Sequence, residues 1–249
     1  MTDPEGGADM VSVNEWRARK MNTEERSYDA VIFDLDGTLL DTLTDLADSL
    51  NAVLQLYDLP LHTKDEVRRF VGNGIRKLIE RAIPGGTGHP QYEQIYQDFC
   101  TYYGEHCMDA TEPYPGVPSL LDWLKKDGYQ TAIVSNKADF AVKKLNRIYF
   151  EGMIPVAIGE REGIRKKPAP DTVFQALREL GVEAQHAVYV GDSDVDLETA
   201  ANAGMDVIPV CWGFRSREFL IEHGAVSERI VSNVRELREQ ITAKQIVQK

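Results

Sequence analysis

Short apolar runs alternating with amphipathic stretches predict an α/β fold, a doubly wound parallel sheet interrupted once by an inserted helical segment. Three observations carry the prediction. Ala30-Val31-Ile32-Phe33 has no polar residue and is rich in β-branched side chains, as a strand buried on both faces requires. Helical patterns with their own start and stop signals lie between such runs, the signature of parallel βαβ units. One stretch, about 45–112, breaks the alternation with helical patterns alone.

Taken in order, residues 1–27 begin MTDPEGGADM, carry scattered acids and have no apolar centre. They read as a mobile leader, not as a secretory signal or a transit peptide. The core starts at Tyr28 and its first strand runs into Asp34. In the insert, Leu46, Leu50, Val53 and Leu54 recur at helical spacing, as do Val67, Phe70 and Val71, and then Leu78 and Ile79. Pro84 to Gly88 is a loop and Tyr92 to Cys107 a further helix. Residues 45–112 are too long for a simple crossover and form a separate helical unit, leaving 28–44 and 113–249 as the core domain.

In the core, Val117 to Lys126 opens after Pro115-Gly116 and stops at Asp127-Gly128. Thr131 to Val134 and Pro155 to Ile158 are strands. Asp171 to Leu180 is a helix with Asp171 as its N-cap and Gly181 as its stop. Val188 to Val190 and Val207 to Val210 complete the sheet, and Pro209 places the last strand at an edge or at its own end.

Composition narrows function. The 249 residues are 43% apolar, enough for a sizeable core, and carry a net charge of −12. That charge opposes nonspecific binding to nucleic acid or anionic membranes, and it requires any phosphate site to be locally positive. No apolar run approaches the roughly 18 residues needed to span a bilayer. Cys100, Cys107 and Cys211 are too few and too irregularly spaced for a disulfide framework or a zinc site, and reduced thiols suit a cytoplasmic protein.

In open parallel sheets, ligands bind beyond the carboxyl ends of the strands. Three predicted strands end in polar residues there: Asp34-Leu35-Asp36-Gly37-Thr38, Ser135-Asn136-Lys137 and Gly191-Asp192-Ser193-Asp194. Asp34 and Asp36, two apart in extended chain, project to one side while Leu35 projects into the core. Carboxylates so close repel unless a cation lies between them or one is protonated. A hard divalent ion with oxygen ligands suits the first case, and magnesium binds through one or two carboxylates plus phosphate oxygens. A lone Asp-x-Asp is more often a solvated turn at a helix start; the string FDLDGT directly after a buried strand reverses that preference.

Phe33-Asp34-Leu35-Asp36-Gly37-Thr38 resembles the first motif of the haloacid dehalogenase superfamily, whose usual members are phosphatases. The resemblance continues in order at Ser135, at Lys167 within Lys167-Pro168-Ala169-Pro170, and at Gly191 to Asp196, spanning nearly all the chain after residue 28. It implies that Asp34 is the nucleophile, forming an aspartyl phosphate, and that Asp36 is the general acid and base. It also implies a magnesium ion held by the Asp34 carboxylate, the Asp36 backbone carbonyl and Asp192. Ser135 is implied to donate to a phosphoryl oxygen, with Asn136 and Thr38 assisting, and Lys167 to supply fixed positive charge. Lys166 is its adjacent rival. Asp196 is either near the metal or simply a helix cap, since Ser193-x-x-Asp196 has the spacing of a capping box.

The insert's position matches the family's small C1-type cap. Val71-Gly72-Asn73-Gly74-Ile75-Arg76-Lys77 resembles the corresponding stretch of phosphoglycolate phosphatases. It implies a small phosphorylated metabolite whose carboxylate meets backbone N–H groups at Gly72, Asn73 and Gly74 and the charges of Arg76 and Lys77. A glycine-rich helix boundary with solvated basic residues is the alternative. Phosphoglycolate is the leading substrate, with pyrophosphatase, sugar-phosphate phosphatase and phosphomutase chemistry available to the same motifs.

Overall fold

The structure is a computed structural model and describes residues 27–243. The expected leader, but for Ser27, lies outside the described residues. The chain runs β1 (Ala30–Phe33), β2 (Leu40–Asp41), α1 (Leu43–Leu56), α2 (Lys64–Phe70), α3 (Ile75–Ala82), α4 (Tyr92–His106), β3 (Glu112–Pro113) and α5 (Val117–Lys126). It continues with β4 (Gln130–Ala138), α6 (Asp139–Phe150), β5 (Val156–Glu160), α7 (Asp171–Leu180), β6 (Ala187–Gly191), α8 (Asp194–Ala203), β7 (Asp206–Pro209), α9 (Arg217–Glu222) and α10 (Val234–Thr242).

The five long strands form one parallel sheet in the order β5-β4-β1-β6-β7. Each predicted strand is present, and Pro209 ends β7 at the sheet edge, where a missing N–H breaks no ladder. β1 shows why its sequence is apolar throughout. Val31 and Phe33 join a cluster with Leu120, Leu121 and Leu124 of α5, Val142 and Leu145 of α6, and Leu237 of α10. Ala30 and Ile32 point the other way, to Val173 and Ala176 of α7 and Ala200 of α8. Helices thus cover both faces, and the sheet is doubly wound.

Two local expectations need adjusting. Asp171 is the first residue of α7 instead of its N-cap, which is Pro170. Its carboxylate is turned to Arg165, at 2.9 Å. β4 outruns the predicted strand by four residues through Ser135, Asn136 and Lys137 to Ala138, with an irregularity in its pairing to β5. The polar end of β4 is therefore extended chain and not the start of a helix.

The four helices α1 to α4 lie between the antiparallel strands β2 and β3, where Leu40 faces Pro113 and Asp41 faces Glu112. They surround their own apolar cluster, including Leu50, Leu54, Val67, Leu78, Ile79, Ile95 and Phe99. From the sheet side this cluster includes Phe214, in the loop after β7. Asp45 ties the end of the insert to its start, accepting from Ala110 N, Thr111 N and Thr111 Oγ1 at 2.7–2.9 Å.

Candidate active site

The direction of chain winding reverses between β1 and β6, and the polar ends of those two strands meet there. Asp34 follows β1 and Asp192 follows β6; both are buried. Lys167 reaches them from the loop before α7, its ammonium 2.9 Å from Asp34 Oδ1 and 2.7 Å from Asp196 Oδ1. Gly37 makes the turn after Asp36 possible with φ of +86°, and a side chain there would collide with the Asp192 carboxylate.

Around this point is a cavity of about 60 Å³ lined by Asp34, Asp36, Ser135, Asn136, Lys167 and Asp192 from the sheet and by Gly72, Gly74, Ile75 and Tyr103 from the insert. One water requires roughly 10–15 Å³ by this measure, so the space suits a few waters or one small anion.

Charge is unbalanced at one side of the cavity, where three carboxylates meet a single ammonium. Asp34, Asp192 and Asp196 bring carboxylate oxygens within 4.8 Å of one another, and Lys167 touches only the first and third. Burial pushes the Asp34 carboxyl up to about 7; Lys167 opposes this, while Asp196 and Asp36 add to it. Asp192 is held well above the ordinary carboxylate range by burial, then by Asp196 and Asp34, despite the Phe214 N–H. Lys167 is held well above its usual range because Asp196 and Asp34 outweigh the effect of burial.

A hard divalent cation fits this donor set of oxygens short of positive charge. Asp196 is the least available of the three. Its Oδ1 accepts from Lys167 and Tyr189, and its Oδ2 from the Ser193 N–H and hydroxyl at 3.1 and 2.6 Å. It caps α8 and anchors Lys167 together. Asp192 Oδ2 accepts from Phe214 N at 2.7 Å and Oδ1 accepts weakly from Thr38 at 3.3 Å, leaving Asp192 and Asp34 the better donors.

The other expected residues divide clearly. Ser135 and Asn136 line the cavity, and the buried Asn136 Oδ1 has no partner, while its amide donates to Lys167 O at 3.1 Å. Thr38 is buried against Asp192 and does not line the cavity. Lys166 turns away to Asn73 O at 3.2 Å, so the two adjacent lysines take opposite directions.

The insert side differs from expectation. Arg76 is half exposed and bidentate on Glu93 at 2.8 and 3.2 Å, and Lys77 meets Glu80 at 2.7 Å; neither lines the cavity. Carbonyls of the glycine turn face core donors, Val71 O accepting from Arg215 and Asn73 O from Lys166. Gly72 and Gly74 do line the cavity, whereas the Asn73 side chain accepts from Arg81.

Lys137 and Arg215 were not singled out from the sequence. Lys137 is buried, 2.9 Å from Asp36 Oδ1 and 2.6 Å from the Tyr103 hydroxyl. A signal for it existed: in extended chain it stands two residues from Ser135 and shares its side. Arg215 clamps Arg68 O and Val71 O of the insert at 2.6 and 2.9 Å, and no local pattern marks it.

A family model for haloacid dehalogenase-like hydrolases matches residues 31–210, a span that holds Asp34, Asp36, Ser135, Lys167 and Asp192 of the cavity. The chain belongs to the haloacid dehalogenase-like hydrolases. Within that family it is similar to phosphatases. It is 34% identical over 185 residues to a phosphoglycolate phosphatase of Aquifex aeolicus, covering 74% of this chain and 85% of that one. It is 32% identical over 209 residues to an N-acetylmuramic acid 6-phosphate phosphatase of Pseudomonas aeruginosa, covering 84% and 92%. Among solved structures, a candidate phosphoglycolate phosphatase from Lactobacillus delbrueckii subsp. bulgaricus superposes with a TM-score of 0.83 at 36% identity, covering 87% of this chain and 99% of that one. No helix among the described residues is long and apolar enough to cross a membrane.

Proposed function

We propose that this hydrolase cleaves a phosphate monoester in two displacements at phosphorus, with Asp34 as the nucleophile. The observation that carries the proposal is the Asp34 carboxylate, buried in the cavity, 2.9 Å from Lys167 and beside Asp36. In the first step an Asp34 oxygen bonds to phosphorus, the bond from phosphorus to the ester oxygen breaks, and Asp36 gives its proton to the departing alcohol. In the second, Asp36 takes a proton from water, whose oxygen bonds to phosphorus as the bond to Asp34 breaks. Inorganic phosphate leaves, and both aspartates return to their starting forms.

Asp34 and Asp192, with the Asp36 backbone carbonyl, would hold magnesium. A bound magnesium ion supplies positive charge to the carboxylates and phosphoryl oxygens. The Ser135 hydroxyl would orient the phosphoryl group with Asn136 assisting through its backbone N–H, and Lys167 would neutralise charge on Asp34 and on the phosphoryl oxygens. The helical insert, residues 45–112, would act as the cap that keeps bulk water out. Three unpaired cysteines agree with a cytoplasmic enzyme.

For the substrate, the 60 Å³ cavity and the resemblance to phosphoglycolate phosphatases favour 2-phosphoglycolate. A second reading, a larger sugar phosphate, rests on a cleft of about 420 Å³ that adjoins the cavity at Ile75, Tyr103 and Lys137. Phosphate release from 2-phosphoglycolate, N-acetylmuramic acid 6-phosphate, a hexose phosphate and pyrophosphate, with magnesium and no bisphosphate activator, tests both. The highest kcat/KM is expected for 2-phosphoglycolate. A sugar ester turned over much faster would select the second reading, and no release from any ester would end the phosphatase assignment.

A further inference from the structure

Lys137 and Tyr103 stand beside the proposed chemistry without a part in it. Lys137 is at the far end of β4, with its side chain 3% exposed. Tyr103 is on α4 of the insert and equally buried. The Lys137 ammonium donates to Asp36 Oδ1 at 2.9 Å and to the Tyr103 hydroxyl at 2.6 Å, and lies 4.7 Å from the centre of the Tyr103 ring. The Asp36 side chain is still 20% exposed and depends on this ammonium for its fixed partner. Of the contacts that hold Asp36, one therefore runs through Lys137 to a residue the insert alone supplies.

We propose that Tyr103 and Lys137 are positioning residues for Asp36, and that they make its aim conditional on the insert resting against the sheet. The assignment rests on Asp36 being the acid and base of the proposed reaction. Free to rotate, an ammonium on a four-carbon stem can take many directions; two fixed acceptors and an aromatic face select one. The selected position places Asp36 where it meets the ester oxygen and later the water. When the insert moves away, Tyr103 goes with it, Lys137 loses one of its two acceptors, and Asp36 loses its register. Water entering an open site then meets a poorly aimed base, so the phosphorylated Asp34 is hydrolysed at full rate only when the insert is closed.

The test compares Asp36→Asn, Lys137→Met and Tyr103→Phe on p-nitrophenyl phosphate in rapid-mixing experiments with magnesium. A good leaving group needs little help to depart, so a misplaced base shows in the second step. Lys137→Met is expected to lower kcat by about 10- to 100-fold, reaching the lower end of the roughly 100- to 10,000-fold that general acid–base catalysis contributes. It should also show a burst of p-nitrophenol and trapped phosphoprotein, with KM changing less than kcat. Tyr103→Phe should show the same signature with a loss of about 3- to 10-fold, a fraction of that range. Tyr103→Phe removes a single oxygen, so it remains informative if Lys137→Met fails to fold. If Asp36→Asn shows a burst and the other two variants lose activity without accumulating phosphoprotein, or lose none, the positioning role is overturned and the reading of Asp36 stands. If Asp36→Asn itself turns over like the wild type, the reading of Asp36 falls and takes this proposal with it.

Discussion

On the sheet side of the cavity, Lys167 and Lys137 are buried and each meets a carboxylate at 2.9 Å; on the insert side, Arg76 and Lys77 are half exposed and meet Glu93 and Glu80 at 2.8 and 2.7 Å. The distances are alike, and the environments are not. A pair of charges near 4 Å interacts by about 1 kcal/mol in water and about 4 kcal/mol at the effective dielectric of a protein site. Exposed pairs contribute about 0–1 kcal/mol, whereas removing one partner of a buried pair costs about 3–5 kcal/mol. Chemistry that must act on a doubly charged phosphoryl group belongs on the sheet side, where charge is fixed and poorly screened. The insert's charges are satisfied within the insert itself, Arg76 reaching from α3 to α4 and Lys77 staying within α3.

The largest effect expected from this contrast is at Asp34. Asp34→Asn keeps the size of the side chain and removes the nucleophile, so steady-state phosphate release should fall on the order of 10⁴-fold or more, as loss of a nucleophile does elsewhere. Wild-type turnover by the pure, folded variant would exclude Asp34 as the nucleophile.

Metal removal comes next. A chelator should abolish turnover and magnesium restore it, with calcium a poor substitute because it takes more ligands at longer distances. Asp192→Asn should raise the magnesium concentration needed for half-maximal activity. Full activity after exhaustive chelation would remove the metal from the mechanism.

The adjacent lysines sharpen the contrast further. Lys167→Ala strands buried carboxylates and should cost at least about 100-fold in kcat/KM, equal to about 3 kcal/mol. Lys166→Ala loses contacts to Asn73 O and Glu160 near the surface and should change activity less than about fivefold. Equal losses from the two would mean that the sheet side is not special.

Stability should report the same crowding of charge. In the metal-free protein, Asp34 keeps its proton up to about pH 7 when folded, against 3.8 as its ordinary value. The folded state then binds more protons across that window, so this carboxylate makes stability fall as pH rises through it. Asp34→Asn lacks that dependence. Its Tm advantage over the wild type in chelator should widen as pH rises through the window. Magnesium should shrink the gap. A constant Tm difference would show that Asp34 is not crowded.

The smallest effect is expected on the insert. Arg76→Ala and Lys77→Ala should each change kcat/KM less than about fivefold, on phosphoglycolate and p-nitrophenyl phosphate alike, because exposed ion pairs contribute about 0–1 kcal/mol. A selective collapse on phosphoglycolate would return these residues to substrate recognition and break the contrast.

The sequence by itself determined the sheet, its covering helices and the edge position of β7, because those follow from local periodicity and from turn chemistry within a few residues. It also determined that Asp34, Ser135 and Asp192 would gather, because each directly follows or ends a buried strand and parallel strands bring such ends to one edge. Tertiary structure decided what each side chain meets. Lys137 and Asp36 are 101 residues apart in sequence, Arg215 and Val71 144 apart, and no local rule relates them. It decided that Lys167 and not Lys166 faces Asp34, and that Asp196 both caps a helix and anchors that lysine. It also turned Arg76 and Lys77 outward, since Glu93 and Glu80 lie within reach on the surface of the insert and satisfy them without the desolvation that a buried position would require.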